Sequence, residues 1–300
     1  MTGPNRVLLT GAGGFIGRRI ADELRSLGAE VVDARTATQG GDLLVPEVRA
    51  RAISEARAEV LVHAAWVTAH GAFWNSPLNL EWEEASQDLF ARFAAAGGRR
   101  IVGLGSVAEY DWTTGAERFG EDAPLAPATI YGSAKARTGG ALGNLASAEG
   151  LSHLWARIFF TFGQGEPRSR LIPALINAFQ SGTPIDTGPA ELTRDFLDAD
   201  VLGTAIARLA LGDVEGPMNV ASGDPSRLDE IADVIAAALD RPVSARFGGR
   251  ALAPNEPLRL VADTRRLAST GIETAGLLRS RLSAYARAFG TSLHQRSGTG

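Results

Sequence analysis

The segment Tyr131-Gly-Ser-Ala-Lys135 sets a phenol and an ammonium four residues apart, which on a helix is one turn apart on one face. An ammonium beside a phenol favours the phenolate and lowers a pKa that is about 10 when unperturbed. Tyr131 could then exchange a proton with an alcohol or ketone near neutral pH. Read alone, the two side chains are also an ordinary helix-surface pair. What gives them a chemical meaning is Gly103-Leu-Gly-Ser106, at the end of an apolar run 25 residues before the tyrosine. If that run is a strand of a doubly wound sheet, its carboxyl end faces the ligand crevice. Ser106 would then present a hydroxyl to the same reacting oxygen. The plainer alternative is a strand-end serine that satisfies a local turn.

A second constellation is Thr10-Gly-Ala-Gly-Gly-Phe-Ile-Gly17, four glycines in eight residues after the apolar run Arg6 to Leu9. A glycine loop that follows a strand and opens a helix is the setting of a dinucleotide site. Gly11 permits the turn, Gly14 lets the backbone approach a pyrophosphate, and Gly17 lets the helix pack on the strand. Phe15 and Ile16 lead into the helix, whose first amides and positive dipole end suit phosphates. The glycines are spaced by three and three, and a turn without a ligand is the competing reading. At the tip of the next strand an acid reads the adenosine ribose, while an arginine accepts a 2'-phosphate. Asp33 and Arg35 both stand there, and period-two alternation puts them on one strand face. Arg35, 24 residues after Gly11, is read as the residue nearer the tip, which favours NADP; Asp33 with NAD is the alternative.

Positioning these groups requires alternating strands and helices, and the sequence supplies them. Strands are expected at Val7 to Thr10, Glu30 to Arg35, Val60 to Ala64, Arg100 to Leu104 and Leu154 to Phe160. Helices are expected at Ile16 to Leu27, Leu80 to Ala96 and Thr129 to Ala148, the second stopped by Gly97-Gly98. The alternation predicts an α/β fold, a Rossmann-type doubly wound parallel sheet. Residues 1–165 read as the dinucleotide-binding domain. Residues 166–300, punctuated by proline and glycine, read as a smaller, mainly substrate-binding part, with some segments returning to the sheet.

Composition narrows the chemistry. At 45% hydrophobic and 21% charged the chain has an ordinary globular make-up, and a net charge of −4 argues against nucleic acid or an anionic membrane as partner. The absence of cysteine removes disulfides, thiolate metal sites and cysteine nucleophiles. His63, His70, His153 and His294 are dispersed, so no metal is expected. With no charged-then-apolar leader and no spanning apolar run, the chain reads as cytoplasmic.

Taken together, the glycine loop, His63-Ala-Ala65, Ser106 with Tyr110 four residues on, and Tyr131 with Lys135 resemble the extended short-chain dehydrogenase/reductase superfamily. The resemblance is to its nucleotide-sugar branch of epimerases, dehydratases and 4-ketoreductases, in matching order over roughly residues 5 to 289. It continues in Asp42-Leu43, Arg194-Asp-Phe196 with Asp200, and Asp263 with Leu267. It implies a nicotinamide cofactor and a catalytic Ser106-Tyr131-Lys135 set. The cofactor would be held by Gly11, Gly14, Phe15, Ile16, Gly17, Arg35, Asp42, Leu43, Ala64 and Ala65 with Tyr131 and Lys135. A nucleoside-diphosphate sugar would be the substrate, and Leu80 to Ala96 with Thr129 to Ala148 would pair into the four-helix interface of a homodimer.

The chain departs from the branch in three places. Dehydratases of this kind carry an Asp-Glu pair directly after the serine or threonine, where Val107 and Ala108 stand, and Glu109 comes one position late. Epimerases place an asparagine where Phe160 stands, which would leave substrate phosphates to Arg168, Arg170 or Arg194. Trp66, with Thr68 and His70, would form a wall against the sugar ring in a loop, His63 to Asn75, over the crevice; a core tryptophan is the alternative. The resulting expectation is an NADP-dependent reductase of a nucleoside-diphosphate 4-keto(-6-deoxy) sugar. A 4-epimerase with tightly held NAD and a noncatalytic dinucleotide-binding regulator are the alternatives.

Overall fold

The computed structural model describes residues 5–67, 73–253 and 255–289. The first half runs β1 (Arg6–Thr10), α1 (Gly17–Ser26), β2 (Glu30–Asp33), α2 (Ala34–Ala37), α3 (Pro46–Ala56), β3 (Val60–His63), α4 (Leu78–Ala95), β4 (Arg100–Ser106), α5 (Ile130–Glu149) and β5 (Ser152–Ile158). The second half runs β6 (Phe160–Phe162), α6 (Leu171–Ser181), β7 (Ile185–Asp186), β8 (Thr193–Asp198), α7 (Ala199–Leu211), β9 (Gly216–Val220) and β10 (Pro225–Arg227). It ends with α8 (Leu228–Leu239), β11 (Ala245–Arg246), β12 (Arg259–Leu260), α9 (Arg265–Ala268) and α10 (Leu278–Ala288).

Six strands form one parallel sheet in the order β2-β1-β3-β4-β5-β9. Val60-Leu-Val-His63 and Arg100 to Ser106 are buried along their whole length, as strands covered by helices on both faces must be. Successive strands step outward from β1 in opposite directions, to β2 on one side and β3 on the other. That reversal opens a crevice outside the carboxyl ends of β1 and β3. Helix α1 buries Ile20, Ala21 and Leu24 on its inner stripe. Helix α5 starts where the Thr129 hydroxyl accepts the Gly132 amide at 3.0 Å, and it stops at Gly150, in the left-handed region at φ +64°.

A second core gathers Phe162, Ile172, Ile176, Phe196, Leu228, Ile235 and Leu282, around a smaller sheet ordered β10-β8-β12 with β6 on β8. Strand β9 returns to the main sheet beside β5, and α7 packs its Leu202, Ile206 and Leu209 into the main core.

Two expected boundaries move. The strand expected to reach Arg35 stops at Asp33, because the Asp33 carboxylate accepts the Arg35 amide at 2.9 Å and caps the helical turn α2. Asp33 is therefore the tip, opposite Leu9. Arg35 lies beyond the strand, exposed, and strand alternation does not relate the two. The strand expected over Leu154 to Phe160 is two, β5 and β6, which pair with different sheets.

Candidate active site

The glycine loop sits at the crevice. Gly11 has φ +72°, and a Cβ on it would lie 2.8 Å from the Ala65 amide nitrogen and 2.9 Å from the Ala64 carbonyl carbon. The turn after β1 and the Ala64-Ala65 segment after β3 thus pass in backbone contact. A Cβ on Gly17 would collide with the Gly11 carbonyl, so α1 begins directly against the loop. Its N-terminus has no side-chain cap and no acid in its first turn, while Arg18 and Arg19 stand there against the dipole. Arg19 is answered by Asp200 and by the Phe15 carbonyl. A helix start with no side-chain cap or acid, and an absent side chain at each close approach, fit a bound pyrophosphate. Asp42 accepts the Leu44 amide and the Leu43 carbonyl accepts from Arg49 at 2.7 Å, which fixes that turn.

Ser106 ends β4 and caps a short 3-10 turn, Val107–Glu109. Its hydroxyl oxygen accepts the Ala108 amide at 3.2 Å, which leaves the hydroxyl proton to be donated. That hydroxyl lies near enough to the Tyr131 phenol to lower its pKa. Lys135, on the same helix face as Tyr131, is buried and donates to the Leu104 carbonyl at 2.8 Å. Its ammonium also lies 3.7 Å from the centre of the Trp66 ring.

The electrostatics differ from expectation. Burial pushes the Tyr131 phenol up to about 12; the Ser106 hydroxyl pulls it back, Glu109 raises it and Arg170 lowers it. The lysine does not reverse this, because its ammonium is turned to Leu104 and Trp66. Lys135 itself falls to about 7, chiefly by burial, with Glu109 opposing. In the free protein Tyr131 is thus a neutral phenol, a proton donor at physiological pH.

Glu109, fully buried, braces the serine from behind. It accepts the Ser106 amide at 2.7 Å, the Trp155 indole N–H at 3.0 Å and Arg157 at 3.1 Å. Arg157 continues to the Tyr110 hydroxyl, which donates to Asn219 at 2.6 Å. Burial pushes the Glu109 carboxyl upward while Arg157 and the amide pull down. Gly105 makes room: a Cβ there would collide with the Trp155 indole nitrogen.

His63 belongs to a second relay. Ser86 donates to the Trp82 carbonyl at 2.6 Å, so its oxygen accepts from His63 Nε2 at 2.9 Å. His63 Nδ1 then accepts from Thr10, whose oxygen accepts the Ala65 amide. Burial, with Lys135 adding to it, lowers His63 to about 3, so it stays neutral and locks β1 to β3.

The expected substrate residues separate. Thr68 and His70 lie outside the described residues. Trp66 is not a free wall: Lys135 covers one face, and its N–H is committed to Asn79 at 2.9 Å. Phe160 packs on Phe196, with the Arg194 guanidinium over its ring at 5.4 Å. Arg194 is buried, paired with Glu256 at 2.6 Å, and donates to the carbonyls of Thr193 and Pro257, so it braces β8 rather than facing a ligand. Arg168 is exposed and leans on Phe289. Arg170, half-buried, pairs with Glu166 at 3.5 Å, and its guanidinium lies 6.0 Å from the Phe15 ring centre and close enough to act on Tyr131.

Comparison with known proteins fits this geometry. The NAD dependent epimerase/dehydratase family profile matches residues 7–221. The chain belongs to that family. It is 24% identical over 238 residues to dTDP-6-deoxy-L-talose 4-dehydrogenase (NAD(+)) of Aggregatibacter actinomycetemcomitans, covering 74% of this chain and 86% of the relative. It is 28% identical to dTDP-6-deoxy-L-talose 4-dehydrogenase (NAD(P)(+)) of Kitasatospora kifunensis, over 78% of this chain and 79% of the relative. The fold matches UDP-glucose 4-epimerase from Thermus thermophilus in complex with NAD at TM-score 0.83 and 21% identity, covering 95% of this chain and 99% of that one. It also matches a dTDP-glucose 4,6-dehydratase double mutant from Streptomyces venezuelae with NAD bound, at TM-score 0.81 and 19% identity, covering 97% and 98%. The protein is an NAD(P)-dependent enzyme of the short-chain dehydrogenase/reductase superfamily.

For this epimerase/dehydratase-family chain, sequence reasoning missed Phe73 and Trp74, stacked at 4.6 Å and both edge-on to Tyr131 at 4.9 and 5.7 Å. Their signal was the aromatic density of the stretch after His63. Among the described residues no acidic or histidine cluster could hold a metal, and no helix is long and apolar enough to cross a membrane. A depression of about 590 Å³ around Ile53, Arg57, Phe93 and Gly97 lies at the amino ends of β3 and β4, away from the site.

Proposed function

We propose that this enzyme reduces the 4-keto group of a nucleoside-diphosphate sugar of the 4-keto-6-deoxy kind. The observation that carries the reading is the make-up of the turn after Ser106. Val107 and Ala108 offer no acid or base, and the neighbouring carboxylate, Glu109, is held by Arg157, Trp155 and the Ser106 amide. Dehydration needs a free acid-base pair there; reduction at C4 needs one proton donor. A phenol held at about 12 is that donor. The two relatives described above are named as 4-dehydrogenases of a dTDP-6-deoxy sugar, the same bond change at C4 written in reverse.

The nicotinamide, when bound, supplies the hydride that the carbonyl carbon accepts. Tyr131 transfers its proton to the carbonyl oxygen, the product leaves as a secondary alcohol, and the phenolate recovers a proton from solvent. Ser106 donates its hydroxyl hydrogen bond to the same oxygen, where negative charge develops. Lys135, one helix turn on, orients the cofactor ribose. The glycine loop, Phe15, Ile16, Asp42, Leu43, Ala64 and Ala65 hold the cofactor. With the strand ending at Asp33, we assign ribose recognition to Asp33, and so NAD over NADP. Arg170 replaces Arg194 as the phosphate-facing arginine, and the Phe73-Trp74 pair replaces Trp66 as the sugar platform. The second core supplies the substrate side, and α4 with α5 forms a homodimer interface.

The test is to incubate the protein with NADH and a dTDP-4-keto-6-deoxyhexose and follow the reduced cofactor. Stoichiometric consumption with formation of a 4-hydroxy sugar supports the reading. Epimerisation of a UDP-hexose without net consumption assigns the 4-epimerase instead, and cofactor binding with no turnover of either substrate assigns a regulator.

A further inference from the structure

Lys135 is the single lysine in a chain whose lysines and arginines total 30, and it is buried. Burial of an ammonium in apolar surroundings favours the neutral amine. Its compensation is small: the Leu104 carbonyl at 2.8 Å and the face of Trp66 at 3.7 Å, with the Trp155 ring more distant at 6.0 Å. A ring face attracts a cation through its quadrupole, most strongly where water is excluded.

Trp66 is itself held. Its N–H donates to Asn79 Oδ1 at 2.9 Å, and Asn79 Nδ2 donates to the carbonyls of Phe73 at 2.6 Å and Ser76 at 2.9 Å. Asn79 is fully buried, and its two donors facing two carbonyls fix which way the amide points. One amide therefore ties the indole to the segment that carries Phe73 and Trp74 over Tyr131.

We propose that Trp66, anchored by Asn79, is a positioning residue whose ring face holds Lys135 in its cationic form and fixes where the ammonium points. This deepens the reading above and rests on it for the catalytic consequence: a charged ammonium offers the cofactor ribose three donors, where a neutral amine offers two. The charged and titratable groups around the ammonium leave the ring a distinct share. Glu109, from the turn after β4, favours the cation. His63, on β3, is neutral. Tyr131, on α5, is a neutral phenol, and Arg157 on β5 is spent on Glu109. Arg170, at the start of α6, faces Tyr131.

A single lysine makes the test direct. Protein labelled with [13C]lysine gives one ε-methylene signal, which is followed against pH without substrate, in the presence and absence of NAD+. In wild type the ε protons are expected well upfield of free lysine, shifted by the indole ring current. In Trp66→Leu that displacement is lost and the titration midpoint falls by about half to one pH unit, while Trp66→Phe retains most of both. The sign is decisive. If Trp66 were only a wall against water, its truncation would admit water and raise the midpoint. A raised or unchanged midpoint in Trp66→Leu overturns the proposal. So does a wild-type ε signal at the free-lysine position, which needs no variant to fold. Because lysine is read directly, loss of the reductase assignment would leave this result standing, and the reverse holds too.

Discussion

The Ser106 amide donates to the Glu109 carboxylate at 2.7 Å, and the same carboxylate is paired with Arg157 at 3.1 Å. The residue at the tip of β4 is thus fixed from within the core by an acid three positions on. Both members of the ion pair are buried, so removing one leaves the other charge uncompensated. Glu109→Ala is expected to cost about 3 to 5 kcal/mol of folding stability, read from urea unfolding. Glu109→Gln, which keeps an acceptor for the amide and the indole, should cost less. A loss under about 1 kcal/mol in the alanine variant would remove Glu109 from this role.

Tyr131→Phe keeps the ring that packs edge-on against Phe73 and Trp74 and deletes the proton donor. Turnover with a 4-keto sugar should fall by about a hundredfold to ten-thousandfold, with NADH affinity nearly unchanged. Wild-type turnover in this variant, with the chemical step shown to limit the rate, would end the assignment.

The parts of this site that were legible in the sequence are those set by local spacing. Gly11, Gly14 and Gly17 announce a loop because each side chain's absence is a local requirement, and Tyr131 and Lys135 share a face because a helix turn fixes it. What depended on distant partners was not legible. Arg194 reads as a phosphate ligand until Glu256, 62 residues later, is seen against it. Spacing placed Lys135 beside Tyr131 but could not show its ammonium turned to Trp66 and the Leu104 carbonyl. The strand expected to reach Arg35 stops short for a local reason: alternation holds only while the strand lasts, and an aspartate before Ala-Arg-Thr-Ala caps a helical turn instead.

His63 sets a pH dependence of stability. Its folded pKa, lowered to about 3, lies below the ordinary value of 6.5. Below 6.5 the unfolded chain binds a proton there that the folded chain does not, so stability falls as pH drops toward 3. Between about pH 7 and 5 this amounts to about 2 kcal/mol. His63→Gln should lose that share of the slope, while His153, also lowered by burial, contributes equally to both proteins. Equal slopes in urea titrations at the two pH values would show that His63 is not held neutral.

Cofactor choice turns on Asp33 and Arg35. Asp33 ends β2 opposite Leu9, one residue before the Thr10 that precedes the glycine loop, and its carboxylate caps the turn that carries Arg35 away from the strand. A carboxylate at this tip accepts hydrogen bonds from the ribose hydroxyls and repels a 2'-phosphate. Wild type is therefore expected to bind NADH more tightly than NADPH. Asp33→Ala should weaken NADH by at least about tenfold, since a hydrogen bond to a charged group is worth about 1.5 to 3 kcal/mol, and should spare or improve NADPH. Arg35→Asp should leave NADH nearly unchanged. If wild type instead prefers NADPH and Arg35→Asp abolishes that preference, the arginine reaches the 2'-phosphate from its helical turn, and the assignment to Asp33 is wrong. Dissociation constants for both reduced cofactors, measured by fluorescence on the three proteins, separate the two.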